Sequence, residues 1–470
     1  MKYYLIVDIG ASSGRHMLGY MRDGKIVYEE IHRFITEQGQ WKWHPEVLFD
    51  DIIEGMIKCR RAGKIPVSMG IDTFGVEHGL LDRRGKIIEG GAVLRDEPAL
   101  YRTFGENGYR FMSPQVLYER TGIPDMAVGT VYQLLHSKER HPHLFAKAGT
   151  ILPMPDFLNY LLTGVKKSEY SYATTTGLVN IKTHNWDYEI IEAAGLDPSM
   201  FVDLTMPGTF VGNLLPEIRD RVGFDLDVLQ VASHDTASAY LAAPARDDSS
   251  IFISSGTWSL VGTESLTPVI NEKSLAYNLS NEGNYAYRYR VLNCITGTLM
   301  LQRIRRDYKD RYSFPELAEM AGQASGFDST VDVCDLSMSV SRLPMEEIIR
   351  QLCRDTGQRV PGTLQEVLAC IYRSIAEGYA ATVKSLRDCM AKEFTTIHLF
   401  SGGCRDRYLN QLTADTTGLP VYAGPVEAAT IGNMLMQMLY DGTLNDLAQA
   451  RALVKSTYDM HRIYPQDKST

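Results

Sequence analysis

The stretch Tyr3–Arg33, YYLIVDIGASSGRHMLGYMRDGKIVYEEIHR, decides the fold. Tyr3–Asp8 reads as a short apolar strand, Gly10–Gly14 as a Gly/Ser turn and Arg15–Tyr20 as a second strand. Asp23-Gly24 is a strong hairpin signal, and Lys25–Arg33 follows as a third strand, so the chain opens on a β-meander. Pro45 then starts a helix through about Arg61, with Val47, Leu48, Ile52, Ile53 and Met56 as its apolar stripe. Pro66–Asp72 is a further buried strand that continues into a hairpin around Arg83–Gly85.

The same order returns after residue 245. Ser250–Ser255 is a strand, Gly256-Thr257 a turn and Trp258–Gly262 a second strand. A long helical stretch covers Gly362–Cys389, followed by a strand at Thr396–Phe400 and the turn Ser401-Gly402-Gly403. Helix Arg405–Thr416, strand Pro420–Ala423 and helix Glu427–Leu439 complete the set. The pattern predicts a structural duplication between halves of little residue identity. The polar stretch Pro244–Ser249 marks the boundary, giving domains 1–243 and 244–470.

Bulk properties fit an ordinary globular α/β protein: 470 residues, 44% hydrophobic and 22% charged. A net charge of −9 argues against a nucleic-acid or anionic-membrane surface as the main partner. There is neither a bilayer-length apolar run nor a signal-peptide pattern at the N-terminus, so the expected compartment is the cytosol. Seven scattered cysteines without a C-x-x-C pair fit reduced thiols rather than a zinc site, and Cys353 and Cys370 fall where two adjacent helices could bring them together.

Six segments carry chemistry, most with a structural alternative. In Val231–Tyr240, VASHDTASAY, Asp235 sits between His234 and Thr236 at the mouth of a helix, which suits a general base; it equally suits a helix N-cap. The turn Gly10–Arg15 offers backbone N–H groups, Ser hydroxyls and a guanidinium to phosphate, or is a plain hairpin with a solvated arginine. It is not a P-loop, because Gly-Lys-Ser/Thr is missing and a strand follows. Asp8, closing an apolar strand, is a candidate magnesium ligand or a turn cap. Ser255-Gly256-Thr257 and Ser401-Gly402-Gly403 lie at matching places in the second half, where glycine permits close approach of a nucleotide. Gly70–Gly75 either lines a cleft, with Gly75 giving close backbone approach, or is a strand-to-hairpin turn.

Together these segments resemble the FGGY family of carbohydrate kinases. The likeness runs through VDIGASSGR at Val7–Arg15, GIDTFGV at Gly70–Val76, MPDFLNYLLTG at Met154–Gly164 and VASHDTAS at Val231–Ser238. It continues through SSGTWSL at Ser254–Leu260, NEG at Asn281–Gly283, YRVL at Tyr289–Leu292, LQR at Leu301–Arg303 and AGPVEAATIGN at Ala423–Asn433. The resemblance implies two actin-like (ribonuclease-H-like) domains, each a mixed sheet flanked by helices, around a central cleft. It implies ATP and Mg2+ as cofactors and a small-molecule sugar as partner, with phosphorylation of L-rhamnulose at its primary hydroxyl. By motif, Asp235 corresponds to the family's catalytic base, with His234, Thr236, Gly75 and Cys294 on the sugar. Ala11, Ser12, Ser13, Gly14 and Arg15 correspond to the phosphate turn, Thr257, Gln302 and Gly402 to nucleotide contacts, and Asp8 to the metal-side aspartate.

Three departures fall on the sugar side. Phe74 and Glu77 stand where relatives carry tryptophan and aspartate, and Leu94–Ala99 lacks a second arginine. Cys294 occupies the register of a sugar-contacting asparagine, with Asn293 one residue early. A kinase for L-fuculose, D-xylulose or L-ribulose is therefore the nearest rival reading, and a non-kinase actin-like ATPase the more distant one.

Overall fold

A computed structural model describes the chain except residues 11–12, 37–43, 93–99, 101–103, 105–110, 246–247, 336 and 467–470. The opening meander forms as expected: β1 (Tyr3–Ile9), β2 (Ser13–Arg22) and β3 (Lys25–Ile35) pair antiparallel in sequence. The turn is shorter than the sequence suggests. Ser13 and Gly14 already belong to β2, and the tip of the Phe34 ring of β3 fills the place where a side chain at Gly14 would stand. Helix α1 (Pro45–Arg61) buries Leu48, Ile52, Ile53 and Met56. Val47, expected in the same stripe, is instead 39% exposed at the helix rim.

Strand β4 (Pro66–Thr73) runs parallel to β1 with Asp8 beside Asp72. A small sheet of β5 (His78–Asp82), β6 (Ile87–Ala92) and β7 (Ala148–Pro153) follows, then helices α2 (Met154–Thr163) and α3 (Tyr170–Ala173). Strands β8 (Thr209–Asn213) and β9 (Asp227–Gln230) complete a six-stranded mixed sheet of order β8-β9-β4-β1-β2-β3. Helix α4 (Asp235–Leu241) leaves the end of β9.

The second half repeats this plan. Its seven-stranded sheet uses β10 (Ser250–Ser255), β11 (Trp258–Ser265), β12 (Ser280–Gly283), β13 (Tyr289–Thr296), β14 (Thr396–Phe400), β15 (Val421–Ala423) and β16 (His461–Ile463), in order β12-β13-β11-β10-β14-β15-β16. In both sheets a three-stranded antiparallel meander leads through its first strand to two parallel strands, β4 and β9 in one, β14 and β15 in the other. The expected duplication is thus real at the level of topology.

Helices α5 (Leu299–Asp307), α6 (Met345–Asp355), α7 (Leu364–Met390), α8 (Arg407–Thr417) and α9 (Ala428–Tyr440) flank the second sheet. The helix expected over Arg405–Thr416 divides: Gly402–Arg405 is a 3₁₀ turn, and Asp406 caps α8 by accepting from Leu409 N at 3.0 Å. All seven cysteines are free thiols; Cys353 on α6 and Cys370 on α7 lie 4.0 Å apart, both buried.

Beside the separate core of each half, a further hydrophobic cluster joins the two. Tyr4, Ile6 and Met17 from the first sheet pack with Phe252 and Phe400 from the second, and with Tyr240 of α4 and Ile431, Met434 and Leu435 of α9. Gly432 lets α9 touch the α4 backbone at Ser238, where a Cβ would overlap the carbonyl. From α9, Asn433 Nδ2 donates to Asp72 Oδ2 at 2.6 Å and Gln437 Nε2 to Leu5 O at 3.0 Å.

Candidate active site

The His234–Thr236 segment is pinned from three sides. Thr73 N donates to Ser233 O at 2.8 Å, tying the end of β4 to the loop after β9. Ser233 N donates to the buried Glu169 carboxylate at 3.1 Å, which also accepts from Ser171 N at 2.6 Å, Ser171 Oγ at 2.7 Å and Tyr172 N at 2.9 Å. Ser238 Oγ donates to Ala232 O at 2.8 Å. An anchored loop of this kind holds its side chains in one geometry, as a positioned proton acceptor requires.

Asp235 is not the helix cap. The cap residue is His234, and Asp235 is the first residue of α4. Its Oδ1 accepts from Thr236 N at 2.5 Å and Thr236 Oγ1 at 3.2 Å, while a third of the side chain stays open to solvent. Burial raises the Asp235 pKa, with Asp8 adding to the rise and His234 opposing it. His234 Nε2 lies 3.4 Å from Asp235 Oδ1, and a Cβ at Gly75 would meet the same nitrogen at 3.4 Å. The structure therefore brings Gly75, His234, Asp235 and Thr236 together.

Asp8 and Asp72 stand side by side on β1 and β4. Asp72 is fully buried, and its Oδ1 has no hydrogen-bond partner. Burial drives its pKa well above the carboxylate range, with Asp8 and then Asp235 adding repulsion and Asn433 opposing. The sequence reading quoted this aspartate without giving it a role. Among the described residues no group of three or more His, Cys, Asp or Glu side chains is set to hold a metal by protein ligands alone. Two carboxylates, one with an orphaned oxygen, fit magnesium, which binds through few protein ligands and keeps waters and phosphates as the rest.

Arg15 is committed to carboxylates. Its Nη2 and Nε lie 2.9 and 3.1 Å from Asp8 Oδ2, and Nη2 also pairs with Glu427 of the second half. Ser13 and Gly14 sit in the ladder beside it, and Ala11 and Ser12 lie outside the described residues. Glu427 was not singled out from sequence.

In the second half the small-residue turns meet. Gly403 packs directly on Ser255, and Ser254 Oγ lies 3.2 Å from Ser401 Oγ. Gln302 Nε2 on α5 donates to Thr257 Oγ1 at 3.1 Å and to Thr298 Oγ1 at 3.2 Å. A Cβ at Gly402 would meet nothing within 4 Å, so this backbone faces open space. The arrangement is one of neutral hydroxyls, an amide and bare backbone.

The sugar-side departures resolve in part. Cys294 lies opposite Leu260 on β11, and burial pushes its thiol up to about 12, with Glu282 and then Cys334 and Asp235 adding charge repulsion. Asn293 cannot replace the missing amide: side chains alternate along β13, and its Nδ2 donates to Tyr277 O at 3.3 Å on the other face. Glu77 is buried behind the end of β4, its N donating to Tyr172 Oη at 2.8 Å. Leu94–Ala99, including Glu97, lies outside the described residues. Among the described residues no helix is long and apolar enough to cross a membrane.

The family profile described as "FGGY family of carbohydrate kinases, N-terminal domain" matches residues 3–242, and its C-terminal counterpart matches 251–440. The chain is 43% identical to a rhamnulokinase of Halalkalibacterium halodurans over 100% of both chains. It is 36% identical to a rhamnulokinase of Bacillus subtilis over 99% of this chain and 96% of that one. Among solved structures, a xylulose kinase from Lactobacillus acidophilus superposes with a TM-score of 0.79 at 17% identity, covering 100% of this chain and 94% of that one. Plasmodium falciparum glycerol kinase with ADP does so at 0.76 and 14% identity, covering 100% and 95%. At such identities these two likenesses establish the actin-like two-domain fold alone.

Proposed function

Because the chain belongs to the FGGY family of carbohydrate kinases, we propose that it transfers the γ-phosphoryl group of ATP to the primary hydroxyl of L-rhamnulose. The products are L-rhamnulose 1-phosphate and ADP. The observation that carries the choice of sugar is the end-to-end match, at 43% identity, with a relative named rhamnulokinase. The geometry around Asp235 supports the chemistry.

Phosphoryl transfer through a loose transition state is mainly positioning and charge compensation. Asp235 accepts the hydroxyl proton as the sugar oxygen attacks the γ-phosphorus. Its raised pKa makes it a better acceptor than a solvated carboxylate, and its open third leaves room for the hydroxyl. Thr236 N and Oγ1 hold Oδ1, which leaves Oδ2 to the substrate. His234, Gly75 and Cys294 line the sugar. Thr257 and Gln302 hold each other beside the nucleotide, and the open backbone at Gly402 lets it lie close. Asp8 and Asp72 would hold magnesium, which supplies positive charge to the β- and γ-phosphate oxygens when bound with the nucleotide. Arg15 orients Asp8, and meets phosphate only by exchanging Glu427 for it.

The test is ADP release with Mg-ATP against L-rhamnulose, L-fuculose, D-xylulose and L-ribulose, with a no-sugar blank. A kcat/KM for L-rhamnulose at least about tenfold above the others is expected, since one good polar contact discriminates by that much or more. A preference for another ketose would overturn the sugar, and rates equal to the blank for all four would overturn the reaction.

A further inference from the structure

Behind His234 the second half inserts an arginine that the proposed reaction does not itself use. Arg290 on β13 is 0% exposed, one of the largest fully buried side chains of the molecule. Its Nη1 lies 2.9 Å from Glu282 Oε2 on the neighbouring strand β12. Its Nε and Nη2 donate to Gly283 O at 3.3 and 3.1 Å, and Nη2 reaches Ser171 O at 3.5 Å. The remaining direction of the fork is taken by His234: Arg290 Nη1 is 3.0 Å from His234 Nδ1. A guanidinium out of water is costly unless paired and hydrogen-bonded, so this placement reflects a structural demand.

The contact fixes a proton. Guanidinium has donors only, so in the Nη1 contact His234 Nδ1 presents its lone pair. The proton of the neutral ring then sits on Nε2, the nitrogen 3.4 Å from Asp235 Oδ1 and facing Gly75. Glu282 Oε2 is also 3.3 Å from Nδ1. A ring protonated at Nδ1 would face that carboxylate instead, so the two tautomers compete here, and the guanidinium contact, at 3.0 Å, is the shorter.

The hairpin that carries this pair is held under strain against the first half. Ala286 and Tyr287, in the β12–β13 turn, have φ of 56° and 57°, and neither is glycine. Such a turn persists only where its surroundings over-determine it. Here they do: the Tyr287 ring lies 4.3 Å from that of His184, Tyr289 Oη meets His184 Nε2 at 2.8 Å, Gly283 N donates to Thr174 Oγ1 at 2.8 Å, and Asn284 Nδ2 donates to Ala237 O at 3.2 Å.

We propose that Arg290, with Glu282 as its counter-ion, is a positioning residue that holds His234 as the Nε2–H tautomer. The imidazole then serves as a hydrogen-bond donor to Asp235 and to a sugar oxygen. Asp235 remains the sole acceptor for the hydroxyl proton. This rests on the sugar-side reading of His234 above.

The test is ¹⁵N-histidine NMR of the whole protein at pH 8, with the His234 signals identified by their loss in His234→Asn. The Nε2–H tautomer pattern is expected in the wild type, shifting toward Nδ1–H in Arg290→Lys, whose ammonium cannot reproduce the fork. A wild-type ring that is Nδ1–H or doubly protonated overturns the proposal, and so does a pattern unchanged in a folded Arg290→Lys protein. Kinetics add a second readout: Arg290→Lys should lower kcat/KM for L-rhamnulose about tenfold and add less than about twofold in the His234→Asn background, as expected of residues acting as one unit. Full multiplication of the two losses would make Arg290 merely structural. Absence of L-rhamnulose turnover would sink the substrate assignment while leaving the NMR result readable.

Discussion

The two halves of this protein place the same scaffold at the mouth of the cleft and decorate it oppositely. At the ends of β1, β4 and β9 the first half carries Asp8, Asp72 and the loop to Asp235, three carboxylates of which Asp72 and Asp235 have pKa values raised by burial first and by neighbouring carboxylate charge after it. At the corresponding ends of β10, β14 and β15 the second half carries Ser254 and Ser255, Ser401, and Gly424. Carboxylates suit a cation and a hydroxyl proton; neutral hydroxyls and backbone suit a polyanionic nucleotide, which acidic neighbours would repel. Under the proposed function one topology serves two tasks by exchanging charge at strand ends, and likeness of fold by itself leaves the chemistry unassigned.

The largest effect that would break this division is at Asp235. Asp235→Asn should lower kcat by roughly 10²–10⁴, the usual share of a positioned base. Calorimetry should find ADP binding within about twofold of wild type, since the proposed nucleotide contacts lie in the other half. An active variant, or one that loses ADP affinity, would erase the contrast.

The seam between the halves comes next. Gly432→Ala drives a methyl into the Ser238 carbonyl of α4, and overpacking of that kind costs about 1–3 kcal/mol. Denaturant unfolding should show the loss, and the apparent sugar and nucleotide affinities should both weaken because α4 and α9 set the spacing of the two decorated edges.

Acid should act on the first half. His16 on β2 is fully buried beside Phe34, and burial lowers its pKa to about 3. Its folded pKa lies below its unfolded value near 6.5, so the unfolded chain binds more protons between those pH values. Stability is fully present above pH ~6.5 and falls by up to about 1.4 kcal/mol per unit below it from this group. His16→Phe should flatten that slope, giving a gain of about 1 kcal/mol over wild type at pH 5.5 relative to pH 7.5 in denaturant melts. An unchanged slope would place the acid sensitivity elsewhere.

The smallest expected effect sharpens the nucleotide side. Gly402→Ala meets open space, so stability should stay within about 0.5 kcal/mol of wild type. KM for ATP should rise several-fold while KM for sugar holds; a reversed pattern would move the nucleotide away from this turn.

Most of the scaffold was legible because its strands are apolar runs punctuated by Gly, Ser and Asp, and α1 runs over Pro45–Arg61 as its pattern indicates. Val47 was misjudged because an apolar residue at the stripe's edge follows helix rotation rather than hydrophobicity. Asp235 was ambiguous from sequence, since a helix-start carboxylate satisfies cap and base alike; only the His234 cap and the open side chain separate the two. Asp72 was hidden for a different reason. Its meaning comes from the parallel register with Asp8, set by strands far apart in the chain. Glu282 and Arg290 lie inside the quoted NEG and YRVL stretches, but nothing local gave them a role, because their partner His234 arrives from the other half. Asn293 could have been dismissed from sequence by the period-two alternation of β13.

The account's central claim is transfer to the sugar's primary hydroxyl, and ³¹P NMR of the protein with Mg-ATP and L-rhamnulose tests it most directly. The account predicts a phosphomonoester signal growing in step with ADP and split into a triplet by two methylene protons. A doublet from a secondary carbinol, or inorganic phosphate as the product, would contradict it.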